Sequence, residues 1–285
     1  LKSTASCLLP IASAHGAAIL TAEGITGNDG YGEVTPHPVQ ERLAKFNGSQ
    51  CGFCTPGMVM QLFSTLSQHD GGSALSQKDL EHCVNGNICR CTGYRPIIEC
   101  AKSFAKDTNV KNDFDASCQV GPYDTKQDPP IVFPPESELQ DGPWLRPRSV
   151  AEALTAVSQG AVPLAGGTAY GVYPELGVVG AQTVFVDLRG IEDEGFTKVQ
   201  VNSGQIRIGA GVTWTSFVDQ LGVLGADVPN PQPFSELAAR CGSIAGAQVR
   251  NNATLGGNIA ITRTKGFLSD WVPLLCSLAA KVHVV

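Results

Sequence analysis

Apolar residues in the first hundred positions recur with helical spacing. Val39, Leu43 and Phe46 fall on one face of residues 37–46, predicting a first helix. Val59, Leu62, Phe63 and Leu66 follow the i, i+3, i+4, i+7 rule, with Thr55-Pro56 ahead of them as a cap and a first-turn proline. Asp70-Gly71-Gly72-Ser73 ends that helix. Ser76 and Asp79 have capping-box spacing and open a third helix through Leu80 and Val84. Arg95-Pro96 starts a fourth, carrying Ile97, Ile98, Ala101 and Phe104.

The pattern then changes twice. Residues 109–147 scatter prolines among Asp, Gln and Ser without periodicity, which suits an extended linker with Cys118 as a bystander. Beyond it, Ser149 and Glu152 form a second capping-box pattern before Val150, Ala153, Leu154 and Val157. Val162–Ala165, Thr183–Leu188 and the alternating Gln205–Val212 read as strands, and Trp214, Phe217, Val218 and Leu221 return to helical spacing. The expected fold class is α+β multidomain: an all-helical unit followed by a mixed α/β unit.

Composition narrows the function. With 42% hydrophobic and 16% charged residues the chain is globular, and a net charge of −6 leaves no basic footprint for nucleic acid. The apolar stretch Trp271–Ala280 is interrupted by Pro273 and Ser277 and is too short to span a membrane. Leu1–Pro10 reads like the middle of a domain and Lys281–Val285 like a strand cut short, so a longer parent chain is expected. Ten clustered cysteines in a chain of this length favour a metal site in a reducing compartment; the expected location is the cytoplasm, with the peroxisome as the alternative.

Cys51-x2-Cys54 and Cys89-x-Cys91 lie 34 residues apart, each just ahead of a predicted helix. A [2Fe–2S] cluster needs four thiolates, two per iron, on short rigid turns. Helix N-termini favour thiolate, and Gly52 and Gly93 let the backbone pass close to sulfur. Zinc held by four thiolates is the rival, although its usual signature has C-x2-C in both halves. On spacing alone iron–sulfur stands only modestly ahead. Cys83, Cys100, Cys241 and Cys276 sit in apolar patterns and read as small buried hydrophobes, and the five histidines share no spacing.

The segments Gly48–Met58 and Gly86–Pro96 closely resemble the helical [2Fe–2S] domain of the molybdenum hydroxylases, the family of xanthine dehydrogenases and aldehyde oxidases. The resemblance implies that Cys51, Cys54, Cys89 and Cys91 are cluster ligands and that Gln50 contacts the pterin of a molybdenum cofactor. Ser6-Cys7-Leu8-Leu9-Pro10 is similar to the end of the family's ferredoxin-type domain, implying Cys7 as the last ligand of a second [2Fe–2S] cluster. The implied domains are a ferredoxin remnant at 1–30, the helical domain at 31–108, the linker at 109–147 and a truncated FAD domain at 148–285.

Pro163-Leu164-Ala165-Gly166-Gly167-Thr168-Ala169-Tyr170 follows a predicted strand and offers successive N–H groups to an anion, a weak signal taken alone. Neither a Walker loop nor a strand-linked G-x-G-x-x-G is present. Together with Gln248–Asn258 it resembles the paired FAD loops of the same family, which implies Pro163–Tyr170 around the pyrophosphate and Thr254, Leu255, Gly256, Gly257 and Asn258 lining the flavin. Asp270 and Ile244 are further implied flavin contacts. Arg263–Phe267, inserted where xanthine dehydrogenases are shorter, and Ala169, where they often carry an acid, tilt the resemblance toward aldehyde oxidases.

The implied function is an electron relay from a molybdenum centre through [2Fe–2S] clusters to FAD and on to oxygen or NAD. Its implied partners are a molybdenum-binding domain or subunit and a second copy of the chain. A zinc-stabilised interaction module and a molybdenum-free flavin/iron–sulfur carrier are the alternatives.

Overall fold

The computed structural model describes residues 1–15, 17–28, 34–111, 113–114, 144–170, 172–173, 183–202, 205–226, 230 and 232–284. The chain divides into two compact units. The first contains Leu1–Ser3, Gly16–Thr125 and Gly246–Gln248; the second contains Thr4–His15, Lys126–Ala245 and Val249–Val285.

The first unit has a two-residue antiparallel ladder, β1 (Gly27–Asn28) with β2 (Val34–Thr35), and four helices: α1 (Pro38–Lys45), α2 (Thr55–Gln68), α3 (Gln77–Glu81) and α4 (Arg95–Lys102). Its core is the apolar stripe expected from periodicity: Val39, Leu43, Val59, Leu62, Phe63, Leu66, Leu80, Ile97, Ala101 and Phe104 are all buried. His37 caps α1, its Nδ1 accepting from the Val39 N–H at 3.2 Å while Gln40 Oε1 accepts from the His37 N–H. The Ser76–Asp79 capping box forms as expected. Two boundaries differ. Cys54, not Thr55, is the N-cap of α2, and Thr55 Oγ1 pairs with Ser49 Oγ instead, at 2.6 Å. Helix α3 stops at Glu81, so Val84 is buried from a turn rather than from a helix.

Arg42 is 6% exposed and binds the unit together. Its Nη1 donates to the Ser103 carbonyl at 2.7 Å and to Ser103 Oγ at 3.1 Å; its Nη2 donates to the Lys111 carbonyl and to Asp113. The guanidinium also stacks 4.0 Å over the Phe104 ring. One side chain thus ties α1 to the end of α4 and to the tail that follows.

In the second unit, β3 (Trp144–Leu145), β4 (Val162–Leu164) and β5 (Phe185–Asp187) form a parallel sheet in the order β3-β5-β4. Strand β3 lies inside the stretch read as linker, because two residues between prolines show no periodicity. Helix α5 (Val150–Ser158) packs on β4 and β5. It buries Ala153, while Leu154 and Val157 are exposed, contrary to the apolar face expected; a small residue at the seam allows the close helix–sheet approach. Ser149 caps α5, but Glu152 reaches back to the Arg148 N–H rather than to Ser149, so the reciprocal capping box is not closed.

Helix α6 (Glu194–Thr197) precedes an antiparallel hairpin, β6 (Val199–Asn202) with β7 (Gln205–Ile208). Ile206 is 40% exposed, so the alternation in Gln205–Val212 does not give the half-buried strand expected. There follow α7 (Trp214–Ala226), α8 (Gln232–Gly242), α9 (Ala247–Arg250), α10 (Leu255–Lys265) and α11 (Trp271–Ser277). Trp271 packs edge-on against Trp214 and Phe217, joining α11 to α7. No helix among the described residues is long and apolar enough to cross a membrane.

Candidate functional site

Cys51, Cys54, Cys89 and Cys91 line one shallow pocket with Gln50, Gly52, Phe53, Ile88 and Arg90. Two turns deliver them. Gly52 (φ +82°) bends the first between the two cysteines, and the second closes through Gly93 (φ +66°) and Tyr94 (φ +67°), the left-handed N-cap of α4. Such a φ is cheap for glycine and costs a tyrosine about 1 kcal/mol. Two contacts hold Tyr94 there: its hydroxyl accepts from the Cys89 N–H at 3.0 Å, and its own N–H donates to Thr92 Oγ1 at 3.2 Å.

The four thiols interact across the turns, Cys51 most strongly with Cys91 and Cys54 with Cys89. Within each pair one sulfur favours thiolate. The Thr92 hydroxyl, 3.1 Å from Cys89 Sγ, pulls that thiol down to about 7, helped by the Thr92 and Cys91 N–H groups. The Phe53 N–H, then the Cys91 thiol, lowers Cys51. Burial, then the bond to Cys89, pushes Cys54 up to about 11, and the bond to Cys51 raises Cys91. Two pairs suit two irons with two thiolates each.

The other thiols differ in kind. Burial pushes Cys83 and Cys100 up to about 12 and Cys241 up to about 11, and Cys100 and Cys241 are fully buried. In the iron-free folded chain at pH 8, iodoacetamide is expected to modify exposed Cys51 within minutes. Cys83, Cys100 and Cys241 should resist until denaturant is added, because alkylation needs an accessible thiolate. Peptide mapping checks this, and early labelling of Cys100 would contradict it.

The glycine loops meet in the second unit. Strand β4 runs into Ala165–Tyr170, and a Cβ placed on Gly166 would lie 2.1 Å from the Asn252 carbonyl oxygen and 2.9 Å from the Ala253 nitrogen. The first loop therefore touches the backbone of the second, a contact only glycine permits. Among the described residues no acceptor faces the N–H groups of Gly167, Thr168 and Ala169, which leaves consecutive donors for an anionic group. Tyr170 packs edge-on against Phe185, 6.0 Å between centroids. Thr254 caps α10, accepting from the Gly257 N–H at 3.1 Å. The Leu255 and Gly256 N–H groups are already bonded to the Val212 and Ala210 carbonyls, so this loop offers its face rather than those donors.

A family model described as "[2Fe-2S] binding domain" matches residues 21–102, and one described as "FAD binding domain in molybdopterin dehydrogenase" matches residues 137–285, more than half the chain. The chain belongs to the molybdopterin dehydrogenase family, the molybdenum hydroxylases. Relatives of the chain include "Probable aldehyde oxidase 1" of Oryza sativa subsp. japonica, 32% identical over 327 residues, covering 99% of this chain and 23% of the relative. "Indole-3-acetaldehyde oxidase" of Arabidopsis thaliana is 33% identical, covering 98% and 22%, and "Aldehyde oxidase 1" of Cavia porcellus is 33% identical, covering 98% and 23%. The chain spans less than a quarter of the length of these relatives.

The remaining expected positions are spread out. Ile244 packs against the core around Trp214 and Phe217, and its carbonyl accepts from Arg250 at 3.2 Å. Asp270 is exposed at the start of α11 without capping it by its side chain. Ser269 takes that role, accepting from the Trp271 and Val272 N–H groups at 3.0 and 3.2 Å while bonding Asn258 Oδ1. Sequence reading passed over Ser269, although a serine just ahead of a helix is a cap signal. Cys7 is exposed on a turn, in a segment that packs with the second unit. Gln50 is exposed at the rim of the cysteine pocket.

Proposed function

We propose that this chain is the electron-relay portion of an aldehyde-oxidase-type molybdenum hydroxylase, carrying electrons from a molybdenum centre toward an acceptor that is oxygen or NAD. The observation that carries the reading is the gathering of four thiols in one pocket on a [2Fe–2S]-binding fold. Cys51 and Cys91 would hold one iron and Cys54 and Cys89 the other. Gly166–Ala169 would receive the pyrophosphate of FAD, with Thr254–Asn258 beside the ring system. When bound, the cluster supplies one-electron and the flavin two-electron chemistry.

The chain's own residues supply position and insulation. Tyr94 and Thr92 hold Cys89 by backbone and by sulfur, which fixes its place in the pocket. Cys54 and Cys89 lie toward the core, whereas Cys51 and Cys91 face out. Phe53, 95% exposed, and Ile88, 71% exposed, border the outward side with Gln50. An apolar rim of this kind supports a protein-covered site, and the occupant proposed is the molybdenum-binding domain or subunit.

The test is reconstitution of the full chain with iron and sulfide, followed by a visible spectrum and iron, sulfide and flavin quantification. About two irons and two sulfides per chain are expected at this site. Cys89→Ser should lose most of the visible signal, whereas Cys276→Ser should keep it. Bound zinc without acid-labile sulfide, or full cluster absorption in Cys89→Ser, would count decisively against the assignment.

A further inference from the structure

We propose that residues Thr4–His15 are a working part of the flavin site, a strap that clasps its two loops, and that Arg189 is the positioning residue that fastens it. The proposal rests on the flavin reading above, which supplies the ligand.

The strap touches both loops. A Cβ on Gly167 would lie 3.3 Å from the Pro10 ring, so Pro10 packs on the first loop. Thr4 Oγ1 accepts from Asn252 Nδ2 at 3.3 Å, and Asn252 is the residue whose carbonyl abuts Gly166. Between these points Ala12 packs into the cluster of Trp144, Leu164 and Phe185, of which Leu164 ends β4, the strand that launches the first loop. Ser13 is buried.

The fastening comes from the sheet. Asp187, at the end of β5 and in register with Leu164, is 0% exposed. It receives Arg189 in a fork, Nε to Oδ1 at 2.9 Å and Nη2 to Oδ2 at 2.8 Å, and also accepts the Arg189 N–H at 3.1 Å. A guanidinium held this way still has a second Nη2–H to donate. Nη2 points to the Ser13 carbonyl at 3.3 Å, and Arg146 Nη1 donates to the His15 carbonyl at 3.2 Å. Ser13 Oγ and Trp144 Nε1 are buried at this seam with no partner among the described residues.

The strap's hold and the ligand's hold on the same loops are linked. Whatever orders Ala165–Tyr170 through Pro10 lowers the cost of ordering it for FAD, and FAD must return the effect to the strap. Cys7 lies three residues before Pro10, so the thiol expected to serve the second cluster is carried on the flavin unit itself.

The test uses the full 285-residue chain, with amide hydrogen exchange and FAD titration by flavin fluorescence. In the parent chain FAD should slow exchange in residues 165–170 and 8–15 together. Arg189→Gln should speed exchange in both segments without FAD and weaken FAD binding about tenfold, the worth of one charge-assisted contact. Arg189→Lys should recover part of the affinity. Pro10→Gly leaves the Asp187–Arg189 pair untouched and should show the same loosening of 165–170, which keeps the test decisive if Arg189→Gln fails to fold. Unchanged exchange at 165–170 in both variants overturns the strap, as does FAD protection confined to 165–170. If FAD protects neither segment in the parent chain, the flavin reading falls and the proposal with it.

Discussion

Gly166→Ala is expected to weaken FAD binding about a hundredfold and to lower the stability of the second unit by about 3 kcal/mol, the upper range for forcing a methyl into filled space. The argument is geometric. The new Cβ would sit 2.1 Å from the Asn252 oxygen, 2.5 Å from its carbonyl carbon and 2.9 Å from the Ala253 nitrogen. All three are backbone atoms, so no rotamer change relieves the overlap and one loop must retreat. Asn252 follows α9, and Ala253 is held by the bridge that pairs Thr213 with Thr254, so the strain falls on the register between the loops. Gly222→Ala is the control. Nothing lies within 4 Å of its added Cβ on the exposed side of α7, so it should gain up to about 1 kcal/mol and bind FAD unchanged. Parent-like affinity in Gly166→Ala would show that the two loops do not act as one site.

Arg42→Ala should cost the helical unit about 3 kcal/mol or more, the range for removing one member of a buried charged network. The loss is not that of an ion pair in water, since Asp113 is half exposed and contributes little. The expense lies in the Ser103 carbonyl and hydroxyl, left with a buried vacancy where Nη1 donated, and in the lost stacking on Phe104. Asp113→Asn should accordingly cost less than about 1 kcal/mol. Labelling of Cys100 in increasing urea reports the unfolding of this core. Its midpoint should fall by about 1 M or more in Arg42→Ala, for a slope near 2 kcal/mol per molar. A midpoint within a few tenths molar of the parent would show that the tail beyond α4 is not held by this side chain.

What was legible in the sequence was what has a period. The stripes of α1, α2 and α4 reappear as the first core, and the capping box of α3 forms as written. Cysteine spacing alone did not separate iron from zinc; the gathering of the thiols in one pocket depends on how two distant turns face each other. Strand β3 escaped notice because two residues carry no alternation, and α5 turned its alanine rather than its leucine inward because a sheet lay close by. The doubled glycine at 166–167 was visible as a loop, but the reason position 166 must be glycine is a carbonyl 86 residues away.

The strap has a consequence for biosynthesis. Its partners lie far downstream: Arg146, Arg189 and Asn252 are 131, 176 and 248 residues from the strap residues they bind. At about 5–20 residues per second, a ribosome needs roughly ten to fifty seconds to pass from His15 to Asn252. Throughout that interval the whole helical unit can fold from local contacts, while Cys7 and its neighbours have no flavin unit to rest on. The segment is therefore synthesised well before the loops that seat it exist, and Cys7 stays open through that interval.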